Sequence, residues 1–540
     1  IFFQHSKEVF VCSLIVNLPC VFWVGLLIRG GGNNSPRPAS QRAAALVLTA
    51  AMLTTFTAPA FAGTWYIEDG DITISAGESG NNVTQNENTT KNDTDTIITN
   101  REEGASSHTV TIDAKDKDDK VEVTLKDANI DTSKQSKAAV SVTGSGDTTI
   151  ELDGDNELQG GDRHAGLEHN QTVDSEGNVT SGKLTIQDDN DNAGSLTATG
   201  GYFGAGIGGG SAKAGQVTIT GGTITAISGD GAGIGGGQGN MGSNAGNADI
   251  EISGGTIEAT GGYTSAGIGG GYYGDATIKI TGDAVIKNAT GGTFGAGIGG
   301  GGGGNGDVTI SGNAKIENAQ GGYAGSGIGG GYGASGTVTI KDDSTVTATG
   351  GEAGAGIGGG VGGLADVTIE GNATVNAIGG VGSAGIGGGY DAENDEDDGN
   401  GNQISIKSNE SGAPTVNATG GESSIDKKTG EKIPGGAGIG SGAGDAKANI
   451  TLEGKVTIVA KAGEGNAAIG DLNGEQEFNG LAEGSSITRY DSVGNDISLP
   501  GDKVPATETS SGGGSAGASV QESVFPGLVV TDKDGQRISY

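Results

Sequence analysis

Residues 325–360 read GSGIGGGYGASGTVTIKDDSTVTATGGEAGAGIGGG, and this stretch decides the fold. It opens and closes on the same Gly-Ile-Gly-Gly-Gly phrase, with Ile328 and Ile357 at equivalent places 29 residues apart. Outward from it the phrase recurs at Ile207, Ile234, Ile268, Ile298, Ile386, Ile439 and Ile469. Successive spacings are 27, 34, 30, 30, 29, 29, 53 and 30 residues. A fixed period near 30 is the signature of a solenoid, in which each repeat is one structural unit stacked on the next.

Between phrases the side chains alternate with the period of two that a strand requires. Val338 and Ile340 point one way while Thr337 and Thr339 point the other, and Val217/Ile219, Val308/Ile310 and Val367/Ile369 repeat the pattern. A second strand follows, carrying Ile224, Ile257, Ile286, Ile316, Val346, Val375 and Val416 in turn. The AGIG phrase itself is a third, with its isoleucine inward. Three short strands and three bends per period describe one coil of a parallel β-helix, an all-β fold. Asp283, Asn313, Asp343 and Asn372 fall at one bend, where Asp and Asn tolerate left-handed backbone. Gly-Gly pairs such as Gly261-Gly262 and Gly350-Gly351 mark places where no Cβ fits. Asn288 and Asn318 each read as one extra residue, hence a bulge. A single coil buries too few aliphatic side chains to offset its lost chain entropy, so stability must come from stacking.

Weaker strand patterns at 72–74, 110–112, 121–125, 139–142, 149–152 and 184–186 predict degenerate coils before the clear repeats. Residues 64–490 then give about fourteen coils, a shaft roughly 65–70 Å long at ~4.8 Å per layer. Trp65 and Tyr66 are predicted cap residues.

Composition agrees with a core of small side chains. The 540 residues include 112 glycines, only 4% are aromatic, and 33% are hydrophobic. Thirty basic against 66 acidic residues give a net charge of −36, which argues against nucleic acid and against an anionic membrane surface as partners. Both cysteines, Cys12 and Cys20, precede the repeats, so neither disulfides nor thiolate metal sites hold them together.

The N-terminal region reads as an address. Residues 37–62 have the three parts of a Sec signal peptide: Arg37 and Arg42, an apolar run from Ala43 to Phe56, and an A-x-A cleavage pattern ending at Ala62. Gly63 is then the mature start. Residues 1–36, with an apolar run from Val9 to Ile28, are read as a mis-called start or a membrane span. The expected organisation continues with a cap and degenerate coils over 63–194, Gly-rich coils over 195–490, a linker over 491–521, and a further segment over 522–540. No membrane insertion of the mature chain is expected.

Candidate chemistry takes few forms along the chain. Gly204-Ala205-Gly206-Ile207-Gly208-Gly209 satisfies GxGxxG, but it recurs coil after coil and no helix pattern follows it, so phosphate binding is not expected. The 53-residue spacing contains two insertions, acidic 391–402 and 422–434, and insertions in solenoids fall in loops, often on a working face. Asp391, Glu393, Asp395, Glu396, Asp397 and Asp398 are therefore the candidate binding residues. They offer oxygen ligands for a weakly held calcium ion but lack EF-hand spacing. Acidic runs at 188–192 and 532–535 are equally unspecific. His164 and His169 lie in a degenerate AGIG phrase and read as turn residues near a cap rather than a metal pair. A polysaccharide lyase would need carboxylates gathered with a base, and Lys407, Lys427 and Lys428 are the cations nearest the acidic loop. The Thr row through Thr218, Thr309, Thr339 and Thr368 is interrupted by charges at Glu251, Lys279, Lys341 and Glu370, against an ice-binding face. No catalytic residues and no firm cofactor are expected.

The AGIGGG phrase with intervening VTI-x-GGT-I-x-ATGG resembles the Gly-rich β-helical repeats of adhesin-like surface proteins of gut-type bacteria, over about residues 195–470. The resemblance implies a secreted or surface-displayed rod in contact with extracellular glycans or surface proteins; no enzyme activity is expected from the residues, and the alternatives are a calcium-assisted polysaccharide-binding module or a polysaccharide lyase on the same fold. It carries over no binding residue, because the repeat motif is itself structural.

Overall fold

The computed structural model describes residues 4–5, 8–9 and 61–505, except 191, 240–245, 395–400, 426, 428–429 and 445. The chain divides into two units, Ile1–Pro59 and Ala60–Tyr540. Of the first, only a short antiparallel pairing of Gln4–His5 with Glu8–Val9 is described. Most of the apolar run 9–28, the signal-like segment up to residue 60, and the end segment 522–540 lie outside the described residues.

The second unit is an all-β parallel solenoid of about 14 coils. Its three strands per coil each stack on their counterparts one coil away. Gly336–Ile340 lies between Gly306–Ile310 and Ala365–Glu370, Thr345–Thr349 between Lys315–Gln320 and Thr374–Ile378, and Ile357–Gly358 between Ile328–Gly329 and Ile386–Gly387, all parallel. The alternation expected from sequence is met: Val217, Ile219, Val308, Ile310, Val338, Ile340, Val367 and Ile369 are buried, and so is every Ile or Val named above for the second strand. One narrow core runs from Ile67 to Ile487. The expected early coils are present, with Ile72, Ile74, Val110, Ile112 and Val140 stacked in register. Apart from one 3-10 turn at Ile67–Asp69, no helix occurs among the described residues.

The glycines of the phrase are explained by how closely coils approach. Each of the nine isoleucines is fully buried, and the glycine after each takes a positive φ, 130° at Gly329. A Cβ on Gly329 would sit 2.1 Å from the carbonyl oxygen of Gly358 on the next coil. Ile328 N donates to Gly356 O at 3.0 Å and Gly330 N to Gly358 O at 2.9 Å, so the coils hydrogen-bond through the space a side chain would need. Gly351 of the Gly-Gly bend is held against Gly322 O in the same way, with φ outside the left-handed region.

One expectation about bends is corrected. Asp283, Asn313, Asp343 and Asn372 do share a bend, but the left-handed residue is the one before each: Gly282, Gly312, Asp342 and Gly371, with φ of 62°, 70°, 63° and 73°. The Asp and Asn side chains instead bond along the stack, Asn313 Nδ2 to Asp283 Oδ1 at 3.0 Å and Asn372 Nδ2 to Asp343 Oδ1 at 2.9 Å. The bulges occur where the extra residues predict them, as register shifts opposite Ile257/Glu258 and after Ile316. Asn318 Nδ2 donates to Asn288 Oδ1 at 3.2 Å across the two bulged coils.

Both ends of the described solenoid are closed. At the start, Trp65 is half-buried against the core and Tyr66 lies under the Arg101 guanidinium, 4.2 Å from the ring centroid. Antiparallel strands Ile72–Ala76, Asn81–Gln85 and Asn88–Thr99 complete that end. At the other end, residues from 491, expected to open a linker, fold back instead. Ile487 N donates to Asp502 O, Val504 N to Ser485 O, and Ser486 bridges Lys503 antiparallel. Buried Arg489 needs carboxylate partners, and this returning segment supplies one.

Candidate functional site

Two Gly-rich turns flank the short Ile-Gly strand in each coil, and together they form one edge of the solenoid. The turn before it holds Tyr202-Phe203 in the Ile207 coil, Tyr263 in the Ile268 coil, Phe294 in the Ile298 coil and Tyr323 in the Ile328 coil; the turn after it holds Tyr272-Tyr273, Tyr332 and Tyr390 in the Ile268, Ile328 and Ile386 coils. These nine are all the aromatic residues between 195 and 470. Backbone bonds join the two turns across coils: Gly302 N to Thr264 O at 2.7 Å, Tyr332 N to Phe294 O at 2.8 Å, Val361 N to Ala324 O at 3.0 Å, and Tyr390 N to Ala353 O at 3.2 Å. The edge is thus a braced surface with aromatic rings along it.

The rings are outside the core. Tyr202, Tyr263, Tyr323 and Tyr332 are 62%, 60%, 55% and 50% exposed, in a protein whose interior needs only Ile, Val, Leu and Ala. Phe294 bridges two of them edge-on, with centroids 5.4 Å from Tyr263 and 5.5 Å from Tyr332. Tyr202 meets Phe203 at 4.6 Å, and Tyr272 meets Tyr273 at 4.2 Å. Such contacts fix ring orientation without covering the faces. Clusters of exposed aromatic rings on a protein surface mark an interaction site more often than chance exposure does.

Beside Tyr323 lies an open groove of about 480 Å3, lined among others by Gln320, Thr349, Glu352, Val381 and Glu422. Its walls carry two exposed carboxylates, an amide and a hydroxyl next to a ring and a valine. Polar groups placed around an apolar floor suit a ligand that presents both hydroxyls and C–H faces. Glu422 opens the second insertion, whose strands Ser424–Ile425 and Lys432–Ile433 form a small hairpin. Lys432 and Ser423 both bond Glu464, which fixes that hairpin to the neighbouring coil.

The acidic insertion is only partly described. Asp391 and Glu393 are exposed, and Ala392 between them is buried. Asp391 takes a left-handed φ of 60°. Asn394 Oδ1 accepts the Lys447 N–H at 2.9 Å, and Asn402, wholly buried, accepts Ala365 N–H at 3.1 Å, so the two feet of the loop are anchored. Asp395, Glu396, Asp397 and Asp398 lie outside the described residues. Among the described residues no group of three or more His, Cys, Asp or Glu side chains gathers as metal ligands. Lys407 pairs with Glu370 on the adjacent coil at 3.5 Å; Lys427 is described and Lys428 is not.

The two histidines of the degenerate phrase are separated in role. His164 Nδ1 lies 2.8 Å from Glu168 Oε2, and that carboxylate holds the imidazole above its usual range. Burial pushes His169 below it, while His169 Nδ1 bonds the carbonyl oxygen of Gln216 at 2.7 Å. The Thr row is in register, with Thr218, Glu251, Lys279, Thr309, Thr339 and Thr368 as successive neighbours. The GxGxxG glycines of 204–209 are spent on coil contact: a Cβ on Gly208 would meet Gly235 O at 2.2 Å.

The aromatic edge was missed in the sequence. Its signal was present, since between residues 195 and 470 the aromatics occur only beside the Ile-Gly phrase.

The fold is that of a β-helix repeat protein. The family model described as Beta helix repeat matches residues 192–211, 217–238, 250–272, 338–361 and 367–390, five segments that each end in or span an AGIG phrase and its following turn. No curated protein and no solved structure matches the chain.

Proposed function

We propose that this β-helix protein is secreted or displayed on a bacterial surface and binds extracellular glycans along its aromatic edge, as a non-enzymatic, adhesin-like rod. The observation that carries the reading is that all nine aromatics between residues 195 and 470 fall in the two turns of that edge. Tyrosine combines an apolar ring face with a hydroxyl that donates and accepts, and sugars combine C–H faces with hydroxyls. Rings presented on several coils of one edge suit a repeating polymer, because weak contacts add along the stack without new chemistry at any one position. The groove beside Tyr323 with Glu352 and Glu422 adds hydrogen-bond acceptors for sugar hydroxyls. The strong negative charge of the chain favours neutral or cationic polysaccharides over sulfated or uronic ones.

The test is a glycan array probed with the wild-type chain and with a Tyr263→Ala/Tyr323→Ala/Tyr332→Ala variant. Binding by the wild type and at least tenfold weaker binding by the variant, with unchanged circular dichroism, supports the proposal. Equal binding by both moves the site off this edge, and no binding by the wild type to any glycan ends the reading.

A further inference from the structure

At the first coil the bond between Ala62 and Gly63 coincides with a sharp change of surroundings. Ala62 is exposed and Gly63 is buried. The parallel pairing of this strand with Asn88–Thr99 slips by one residue just before it, so that Phe61 pairs with Asp93 while Ala62 pairs with Asp95. Gly63 N donates to Asp93 Oδ1 at 2.8 Å, Trp65 Nε1 donates to Asp93 Oδ2 at 2.7 Å, and Asp95 N reaches Oδ1 at 3.4 Å. Asp93 has no solvent exposure. No Lys, Arg or His among the described residues forms an ion pair with it. A Cβ on residue 63 would lie 2.5 Å from Asp93 Oδ2 and 2.6 Å from Trp65 Nε1, so a side chain there would displace the carboxylate or the indole.

A buried carboxylate held by neutral donors alone is costly, and a positive partner at the same atom would relieve it. We propose that cleavage between Ala62 and Gly63 creates that partner: the new α-ammonium of Gly63 forms a buried ion pair with Asp93 and locks the cap of the solenoid. Hydrolysis of the Ala62–Gly63 amide adds water across the bond, leaving a carboxylate on Ala62 and an amine on Gly63 that takes up a proton. The nitrogen is already at ion-pair distance, so processing changes its charge and not its place. The cap then completes its electrostatics only after the leader has gone, which makes the processed chain more stable than the precursor. This inference rests on reading residues 37–62 as an export signal.

The test separates the two. First, the chain from residue 37 is exported from a bacterial host and its N-terminal residue is determined by mass spectrometry; Gly63 is expected, and a start elsewhere overturns the processing step. Independently, the Gly63–Tyr540 chain is released from a removable N-terminal fusion and compared with one bearing a single alanine before Gly63. Trp23 and Trp65 are the chain's two tryptophans, so after processing Trp65 is the only one left and, excited where tyrosine does not absorb, reports on Asp93 directly. The Gly63-first chain is expected to melt at a higher temperature at pH 7, followed by Trp65 emission. The ion pair raises the folded pKa of the amine above its unfolded value of ~7.7. The advantage is therefore full below that pH and is lost as pH rises through the folded pKa. Asp93→Asn should erase the difference between the two chains. Identical Trp65 transitions for both chains across pH 7 to 10 would overturn the ion pair, whatever the outcome of export.

Discussion

Arg489 and Asp502 form a two-pronged ion pair that closes the last described coil, with Nε 2.8 Å from Oδ2 and Nη2 3.0 Å from Oδ1. Neither side chain is more than 2% exposed. Nη1 takes Glu475 at 2.7 Å, and Phe478 lies against the guanidinium at 5.5 Å. The end of a solenoid has no next coil to cover its core, and here an arginine held by two carboxylates does so. Arg489→Met should cost ~3–5 kcal/mol, because Asp502 is left buried and unpaired. Coil stability depends on neighbours, so the loss appears first as faster hydrogen exchange in Thr457–Lys461 and Ser486–Tyr490. Unchanged exchange there would show that the cap carries no such role.

Two glycines of one coil separate crowding from backbone strain. Gly333 has φ of 70°, and a Cβ added there would meet nothing within 4 Å, so Gly333→Ala should cost only the ~1–2 kcal/mol of left-handed backbone. Gly329→Ala meets the Gly358 carbonyl as well, and must push two coils apart. Urea denaturation should therefore show a much larger loss for Gly329→Ala than for Gly333→Ala; equal losses would mean the coils are not in close contact.

The histidines should make stability depend on pH in opposite senses. His169 has a folded pKa below its unfolded value of ~6.5, so its contribution is full above that pH and is lost as pH falls. His164, raised by Glu168, contributes fully below ~6.5 and loses its contribution as pH rises through the folded pKa. Melting curves between pH 7.5 and 5 should fall less steeply toward acid for His169→Gln than for wild type, and more steeply for His164→Gln.

The paired bulges should behave as one unit. Pairing runs from unbulged Thr256–Thr260 through bulged Val285–Thr290 and Lys315–Gln320 to unbulged Thr345–Thr349. Deleting Asn288 or Asn318 singly leaves two mismatched boundaries and removes their hydrogen bond. Deleting both leaves none. The double deletion should be more stable than either single one by thermal melting, a reversal of additivity that a purely local role for each asparagine would not produce.

The period, the inward positions and the bulges were legible because each is a repeated or alternating pattern of residue types along the chain. The Gly-Ile-Gly-Gly-Gly phrase can serve little but close-stacked backbone, and alternation assigned Val338 and Ile340 to the interior directly. The Asp/Asn bend was placed correctly and its reason misjudged: side chains 30 residues apart bond to one another, and sequence spacing alone does not tell a turn-forming Asp from one that bonds its neighbour coil. Residues 491–504 read as linker because they are polar and aperiodic, yet Arg489 draws them over the core. The aromatic edge escaped for a related reason, since its two halves lie on opposite sides of the Ile-Gly strand and meet only between coils.

The sequence by itself determined that the chain winds, how often, and which aliphatics fill the winding, because a repeated pattern must satisfy the same geometry at every turn. Only the tertiary structure decided what the windings bring together: Arg489 with Asp502, Gly63 with Asp93, and Tyr263 with Phe294 and Tyr332. Those meetings depend on which turn lies over which, and stacking sets that only after the coil has formed.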